Sequence, residues 1–408
     1  MNDKRIYLAP MVGRTDEYYR ALVRIMSKNI YLYTEMITCD AFLHTDRKHY
    51  KVNSREKDLT IQLAGSDPKK YGKCAKIIEE HGYSEINLNI GCPSTKVIKG
   101  DFGACLMNSP ELVSEFIYEI KLSSSLPVSI KTRLGLGYEH NLNLLYNLIN
   151  QTHKAGCNKF FIHARNAILD GLSPKKNRKI PLLRYSDVLE VKKSYPFLAF
   201  YLNGGVESIS EIKKNIVNFD GLMIGRSIYD NPIFMLQIEQ EIFKSEVSLT
   251  RKDIIEKYAV YALEKSNQGI SNYQLLRHLY GLYYNTSSAK KWKKYLHGII
   301  QDEKDIMMVS DFKELAYEEK SRLTAKTANK YDLYEESVQN VDFEVEFISK
   351  IYKKKNKALC SSIREDFCAS AKISSAWVQN KKGNVAYAID LDQKILDFAK
   401  KSFQKDLS

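Results

Sequence analysis

One cysteine, Cys92, stands between a glycine and a proline where an apolar run ends, within the stretch NLNIGCPSTKVIKGDFGACLM at residues 87–107. An ordinary thiol is mostly protonated at neutral pH and can give up a proton. With a neighbouring base it could instead act as a nucleophile. Most isolated loop cysteines do neither. Lys96 and Lys99 give the loop positive charge, and Cys105 is best explained as a packed thiol.

Glycines end two later apolar runs, at Asn203–Gly205 and at Gly225 followed by Arg226. Backbone amides of such loops, with a helix start and an arginine, commonly bind phosphate in barrel proteins. A phosphorylated cofactor such as flavin mononucleotide (FMN) fits this pattern. Lys131 could stabilise negative charge on a reduced flavin, and Gln62 can both donate to and accept from its ring edge. Lys131 could equally form a salt bridge inside the fold.

Eight apolar runs between residues 6 and 228 carry these polar side chains. The runs are IYLAPM, IYLYTEMI, TIQLAG, EINLNIG, VSIKTRL, KFFIHAR, LAFYLNGG and GLMIGRS. Helical patterns alternate with them, as in SPELVSEFIYEIKL, where Ser109 fits an N-cap and Pro110 the first helical position. This alternation predicts an α/β fold, a (β/α)8 TIM barrel, whose active site lies at the carboxyl ends of the strands. We therefore expect the polar strand ends to meet at one rim.

Composition narrows the class of protein. The chain has 408 residues and a net charge of +13, which suits a polyanionic partner or a lysine-rich solvated surface. Its seven cysteines are odd in number and include no CxxC pair, so we predict neither a disulfide framework nor a metal site. A signal peptide and a transmembrane run are not evident. We expect a cytoplasmic protein.

Domain organisation follows from changes in pattern. We predict a barrel domain at 1–236, an all-helical domain at 237–310, a linker at 311–329 and a further segment at 330–408. In the helical domain, Lys290, Lys291, Lys293 and Lys294 surround Trp292. This cluster is either a solvated helix face or a phosphate-binding surface with a stacking aromatic.

Residues from about 4 to 305 resemble the A-type bacterial tRNA-dihydrouridine synthases. The matching stretches are LAPMVGRTDEYYR, QLAGSDP, INLNIGCPSTKVIKGDFGACLM, IKTRLG, HARNAILDGLSPKKNRKIPLL, LNGGV, DGLMIGRSIYDNP and LLRHLYGLYYN. The resemblance implies an FMN enzyme that uses NADPH to reduce uridine to 5,6-dihydrouridine in the tRNA D-loop, at positions 20 and 20a. Hydride would pass from flavin N5 to uracil C6, and Cys92 would protonate C5.

The resemblance also assigns binding residues. Its flavin contacts carry over to Pro10, Met11, Val12, Gln62, Lys131, His163, Asn203, Gly204, Gly205, Gly225 and Arg226. Asn89 matches the position beside the flipped uracil. The tRNA contacts carry over to Lys175, Lys176, Arg178, Lys290 and Lys293.

The last segment resembles the front of a class I S-adenosylmethionine methyltransferase. REDFCASA would be the loop after the first strand, and Asp390 or Asp392 the ribose-binding acid. Ala369 stands where that family usually has glycine, and only two strands are evident, fewer than a doubly wound sheet needs. We therefore predict a partial Rossmann-like segment in which S-adenosylmethionine binding is disfavoured.

Three other functions stay open on the sequence alone. The first is an FMN-dependent barrel dehydrogenase acting on a free pyrimidine, although such an enzyme would need neither a basic helical domain nor the SPKKNRK loop. The second is a tRNA-binding module without chemistry, which the presence of Cys92, Lys131 and His163 disfavours. The third is a bifunctional enzyme with a working methyltransferase. In each case we expect a monomer.

Overall fold

Eight parallel strands form the centre of the computed structural model, which describes residues 5–45, 50–53, 55–56, 58–94, 97, 100–313 and 341–403. The strands are β1 (Arg5–Leu8), β2 (Tyr33–Thr38), β3 (Thr60–Ala64), β4 (Glu85–Ile90), β5 (Val128–Arg133), β6 (Lys159–His163), β7 (Ala199–Asn203) and β8 (Gly221–Ile224). Each coincides with one of the eight predicted runs, although β1 begins one residue before its run, at Arg5, and β2 ends one residue after its run, at Thr38. Neighbours from β2 to β8 pair in sequence order, and β1 pairs with β8.

The sheet closes through Tyr31, just before β2. Tyr31 forms a parallel bridge with Tyr7 of β1. Its amide donates to the Ile6 carbonyl, and its carbonyl accepts from the Leu8 amide, both at 2.9 Å. The predicted (β/α)8 barrel is therefore confirmed, and the carboxyl ends of all eight strands lie at one rim.

Helices connect the strands and cover the outside of the barrel. They are α1 (Glu17–Met26), α2 (Cys39–His44), α3 (Pro68–Glu80), α4 (Pro110–Ser123), α5 (Asn143–Lys154), α6 (Tyr185–Ser194), α7 (Ile209–Ile216) and α8 (Arg226–Asp230). In α4, Val113, Phe116 and Ile120 are buried at helical spacing, as the pattern predicted. Ser109 is the N-cap residue, although its side chain makes no capping hydrogen bond.

The barrel continues directly into helices α9 (Phe234–Glu241), α10 (Arg251–Ser266), α11 (Asn272–Leu276) and α12 (Ala289–Gln301). The chain divides into two compact units, Met1–Leu315 and Ala316–Ser408, so these helices belong to the same unit as the barrel. The contact is partly ionic. The Oδ1 atom of Asp16, the N-cap residue of α1, lies 2.9 Å from His278 Nε2, and Lys265 pairs with Glu17 at 2.6 Å. The boundary at residue 236 stays a prediction.

Trp292 lies in the interior of this helical part. Its side chain is fully buried, and its indole nitrogen donates to the Leu279 carbonyl at 2.8 Å. The ring packs against Tyr283 and Phe312, with centroid distances of 5.0 and 4.9 Å. The alternative in which Trp292 stacks on a base is therefore wrong, because α12 needs its largest apolar side chain for the core. The neighbouring Lys293 is exposed.

The second unit contains α13 (Val341–Asn356), β9 (Ser362–Asp366), α14 (Lys372–Asn380), β10 (Val385–Ile389) and α15 (Gln393–Phe403). Strands β9 and β10 are parallel and joined through α14, so the described residues form one βαβ unit. A likeness of this unit to a methyltransferase stays a prediction.

Some sequence-based predictions lie outside the described residues. These are Lys96, Lys99 and the linker from residue 314 onward. Among the residues that are described, no helix combines the length and the apolar character needed to span a bilayer.

The burial of Trp292 generates a stability prediction. Trp292→Ala removes a buried indole and leaves a cavity, so we expect the free energy of unfolding to fall by about 3–5 kcal/mol. Lys293 is the next residue of α12 and is exposed, so Lys293→Ala should change the free energy of unfolding by less than about 0.5 kcal/mol. Urea unfolding followed by fluorescence and circular dichroism measures both. Equal losses in the two variants would contradict the buried position of Trp292.

Candidate active site

Cys92 lies just beyond the carboxyl end of β4, and hydrogen bonds hold the backbone around it in place. The amides of Gly91 and Cys92 both donate to the side-chain oxygen of Asn89, at 3.2 and 3.0 Å. The Cys92 carbonyl accepts from the Ala104 amide at 3.1 Å. Gly103 allows this approach, since a Cβ there would lie 2.7 Å from the Cys92 carbonyl oxygen. The partly exposed thiol therefore occupies a fixed place at the rim.

Arg133, the last residue of β5, joins the Cys92 loop to the loop that follows β6. Its Nε donates to the Gly91 carbonyl at 2.9 Å, and its Nη1 donates to the carbonyls of Asn166 and Asn177 at 3.0 and 3.1 Å. The side chain is buried among carbonyl groups. Burial and neighbouring arginines lower the pKa of Arg133 to about 10, so it stays charged at neutral pH.

Lys131 lies on the same strand and the same face as Arg133, two residues earlier. Its ammonium group donates to the side-chain oxygen of Asn203 at 3.0 Å. Asn203 in turn donates to the Met223 carbonyl at 2.7 Å, which links β5, β7 and β8. Burial, followed by repulsion from Arg133, lowers the pKa of Lys131 to about 7. A negatively charged ligand beside Lys131 would oppose that shift.

His163 ends β6 beside these cations. Burial lowers the pKa of His163 well below its ordinary value, and repulsion from Arg133 and Lys131 lowers it further. The imidazole is therefore neutral at physiological pH. A neutral imidazole can donate one hydrogen bond and accept another, which suits contact with a heterocyclic ring.

Gly204 and Gly205 form a turn that only glycine fits. Gly204 has φ +103°, and a Cβ there would lie 2.5 Å from the His163 ring. Gly205 has φ +73°, and a Cβ would lie 2.3 Å from Leu183. The hydroxyl of Tyr185 donates to the Gly204 carbonyl at 2.6 Å and holds the turn in place. The backbone amides of this turn are thus brought close to His163 at the rim.

The loops after β1 and β8 lie against each other. A Cβ on Gly225 would lie 3.4 Å from the sulfur of Met11, so the turn Pro10–Val12 packs beside the first residues after β8. Val12 is mostly exposed, and Arg226 begins α8. These five positions, predicted as flavin contacts, are neighbours at one part of the rim.

Gln62 is buried, and its side-chain amide already has partners inside the barrel. Its oxygen accepts from Asn89 Nδ2 at 3.0 Å, and its nitrogen donates to Asn87 Oδ1 at 2.8 Å. One amide hydrogen and one lone pair remain for a ligand. Gln62 thus connects the rim to the interior of the barrel.

The loop after β6 presents the SPKKNRK sequence. Asn177 anchors it, exchanging hydrogen bonds of 2.8 Å with the backbone amide and carbonyl of Ile168. Lys175 and Lys176 are exposed. Arg178 is partly buried, and its Nε has no hydrogen-bond partner among the described residues. Burial lowers the pKa of Arg178, and nearby arginines lower it further.

The structure thus brings together the rim residues from seven strands, whereas Lys290 and Lys293 lie on the exposed face of α12. The sequence analysis did not identify the bridging contacts of Arg133, and it assigned no role to Asn166 or Asn177. The spacing of Lys131 and Arg133 was the available signal, because residues two apart on a strand point the same way.

Comparison with known proteins identifies the family. Residues 7–318 match the family model described as Dihydrouridine synthase (Dus). The chain belongs to the dihydrouridine synthase family. Proteins named tRNA-dihydrouridine(20/20a) synthase are 40% identical over 295 residues in Shewanella oneidensis and 38% identical over 293 residues in Pasteurella multocida. These alignments cover 72% of this chain and 88% and 90% of the two relatives. The family match thus covers nearly all of the first unit of this dihydrouridine synthase.

The lowered pKa of Lys131 generates a pH-dependent prediction for the ligand-free protein. In the folded protein Lys131 loses its proton above about pH 7, whereas in the unfolded protein it keeps that proton up to about pH 10.5. The free energy of unfolding of the wild type therefore rises between these two pH values. Lys131→Met lacks this titration. We expect Lys131→Met to be more stable than wild type at pH 7, with the difference shrinking as pH rises towards 10.

Urea unfolding of both proteins at several pH values measures that difference. Comparing the two proteins at each pH cancels the titration of all other groups. A difference that stays constant or grows between pH 7 and 10 would contradict the buried position of the Lys131 ammonium group.

Proposed function

We propose that this protein reduces uridine to 5,6-dihydrouridine in tRNA, at positions 20 and 20a. Family membership and the printed names of its relatives support the reaction and the substrate. The observation that carries the proposal is a thiol held at an electropositive barrel rim, with Cys92 fixed through Asn89 and joined to Arg133 through Gly91. Such a site can deliver a proton to an anionic substrate.

FMN is the cofactor that the rim suits. The fit rests on the turn at Gly204 and Gly205, where a Cβ would collide with His163 and Leu183, and on the cations beside it. When bound, FMN supplies the hydride that uracil C6 accepts, and NADPH is the reductant. The residues proposed to hold it are Pro10, Met11, Val12, Gln62, Lys131, His163, Asn203, Gly204, Gly205, Gly225 and Arg226.

Cys92 is the proposed proton donor. As the C5–C6 double bond takes up a hydride at C6, the S–H bond breaks and its proton forms a new bond at C5. The sulfur keeps the electron pair as a thiolate and regains a proton from solvent. Arg133 stays charged at neutral pH and is bonded to the Gly91 carbonyl next to Cys92, so it adds positive charge to this part of the rim.

Substrate binding follows from charge and geometry. A uridine within a folded RNA must leave its stack to reach a site at a barrel rim. Asn89 lies beside Cys92 and is proposed to contact the uracil. Lys175, Lys176 and Arg178 would contact phosphates near the rim. Lys290 and Lys293, exposed on α12, would contact the RNA at the helical part.

A dehydrogenase acting on a free pyrimidine is the alternative. It would use the same flavin site and the same thiol. The exposed lysines of the loop after β6 favour tRNA instead, since a small neutral substrate gains nothing from them. We also propose a monomer acting in the cytoplasm. All seven cysteines are free thiols, which suits a reducing compartment, and the proposed site draws on one chain.

The role of Cys92 can be tested directly. Cys92→Ala removes the proton donor but no proposed flavin contact. We expect flavin content and NADPH oxidation to stay near wild type while dihydrouridine formation falls by at least about 100-fold. Dihydrouridine is quantified in tRNA by mass spectrometry, and Cys105→Ala is the matched control. Near-normal dihydrouridine in the Cys92 variant would remove Cys92 from the mechanism.

The loop after β6 can be tested by salt dependence. Each phosphate contact releases counterions, so Lys175→Gln with Lys176→Gln should weaken tRNA binding and lower the slope of log K against log salt by about 2. Lys73→Gln, an exposed lysine on α3, is the control and should leave the slope unchanged. An unchanged slope in the double variant would exclude this loop from the RNA surface.

A further inference from the structure

A chain of hydrogen bonds crosses the interior of the barrel beneath Cys92. It begins at Asn89, whose oxygen accepts from the Cys92 amide and whose nitrogen donates to Gln62. Gln62 donates to Asn87 at 2.8 Å, and Asn87 donates to the hydroxyl of Ser129, also at 2.8 Å. The chain thus passes from β4 to β3, back to β4 and on to β5.

The lower end of this chain is an ion pair. The Ser129 hydroxyl donates to the carboxylate of Glu85, and the Lys159 ammonium group donates to the other carboxylate oxygen at 2.6 Å. Glu85 and Lys159 are the first residues of β4 and β6, so the pair lies at the amino-terminal end of the barrel, opposite the rim. Lys159 also lies 4.8 Å from the centre of the Tyr7 ring.

We propose that Glu85 and Ser129 are positioning residues for the Cys92 loop, a role that adds to the proposed function and rests on it only for its catalytic consequence. The reason is the direction of the hydrogen bonds. An ionised carboxylate can only accept, so Ser129 must donate to Glu85 and present its oxygen to Asn87. The amide nitrogen of Asn87 must then face Ser129, which turns its oxygen towards Gln62.

The same logic continues to the rim. Gln62 must turn its nitrogen towards Asn87 and its oxygen towards Asn89. Asn89 therefore turns its nitrogen towards Gln62 and its oxygen towards the rim, where the amides of Gly91 and Cys92 need an acceptor. Both ends of the chain thus require the same orientation of every amide, and flipping one would set donor against donor.

A buried pair of charges seldom adds net stability over apolar residues of similar volume, because both ions lose hydration. An ionised carboxylate suits the role of fixing a polar network, because it can only accept and so sets the direction of the first hydrogen bond. The chain also fixes which amide atoms of Gln62 and Asn89 remain for a ligand at the rim.

Ser129→Ala tests the proposal because it interrupts the series of hydrogen bonds between Glu85 and Asn87 without removing the charge of Glu85 or Lys159. Hydrogen exchange of the peptide containing Gly91 and Cys92 should become about tenfold faster or more. Alkylation of Cys92 by iodoacetamide, followed by peptide mass spectrometry, should also accelerate. Thr152→Val is the matched control, since it removes one fully buried hydroxyl that bonds only to carbonyls of its own helix.

Catalysis provides a readout that a general loss of stability would not move. With flavin bound, single-turnover oxidation by tRNA should slow by about tenfold or more in Ser129→Ala, whereas reduction by NADPH should slow less, because Gln62 keeps its hydrogen bond from Asn89. Glu85→Gln, which removes the charge at nearly constant volume, should act in the same direction.

Two outcomes would overturn the proposal. One is exchange and alkylation at Cys92 that match the Thr152→Val control. The other is an equal slowing of both half-reactions together with a lower melting temperature, which would show a general structural role. Exchange and alkylation do not depend on the substrate, so they decide the positioning role even if dihydrouridine formation fails. Ser129→Ala decides the matter alone if Glu85→Gln does not fold.

Discussion

The candidate site depends on one buried guanidinium group. Arg133 donates to carbonyls on both sides of it, Gly91 in the Cys92 loop and Asn166 and Asn177 in the loop after β6. A planar guanidinium with five donors can hold several backbone segments at once, which a lysine cannot do. The Cys92 loop and the proposed RNA-binding loop therefore share one anchor. A shift of either loop would therefore displace Arg133 and change its hydrogen bonds to the other loop.

That anchor also sets the electrostatics of the rim. Its partners are carbonyl oxygens, so the positive charge is solvated but not cancelled. It contributes to lowering the pKa of Lys131 to about 7 and to keeping His163 neutral. A flavin phosphate, a reduced flavin ring and a tRNA backbone are all anionic, and each would relieve this repulsion. The charge of the rim is thus complementary to that of its proposed ligands.

Sequence patterns could predict the frame of this site but not the contacts within it. Eight apolar runs sufficed for the barrel, because parallel strands are buried on both faces and read as continuous apolar segments. The barrel rule then placed Cys92 and Lys131 at one rim. The partners of Arg133 come from Asn166 and Asn177, and an irregular loop has no periodicity from which to read them. Trp292 was ambiguous because an aromatic among lysines suits either a core or a base-stacking surface.

The second unit shows a related limit. Its βαβ connection follows the predicted pattern, yet the loop after β9 holds three non-glycine residues at positive φ, among them Ala369 at +45° and Ala371 at +57°. The carboxylate of Asp390, predicted as a ribose-binding acid, accepts instead from the amides of Ala369 and Asp392 at 2.9 and 3.0 Å. A left-handed alanine costs more than a glycine would, and here the neighbouring acid holds it. Asp390 thus supports this loop, while Asp392, the other predicted ribose-binding acid, accepts from the amide of Lys394 at 2.9 Å.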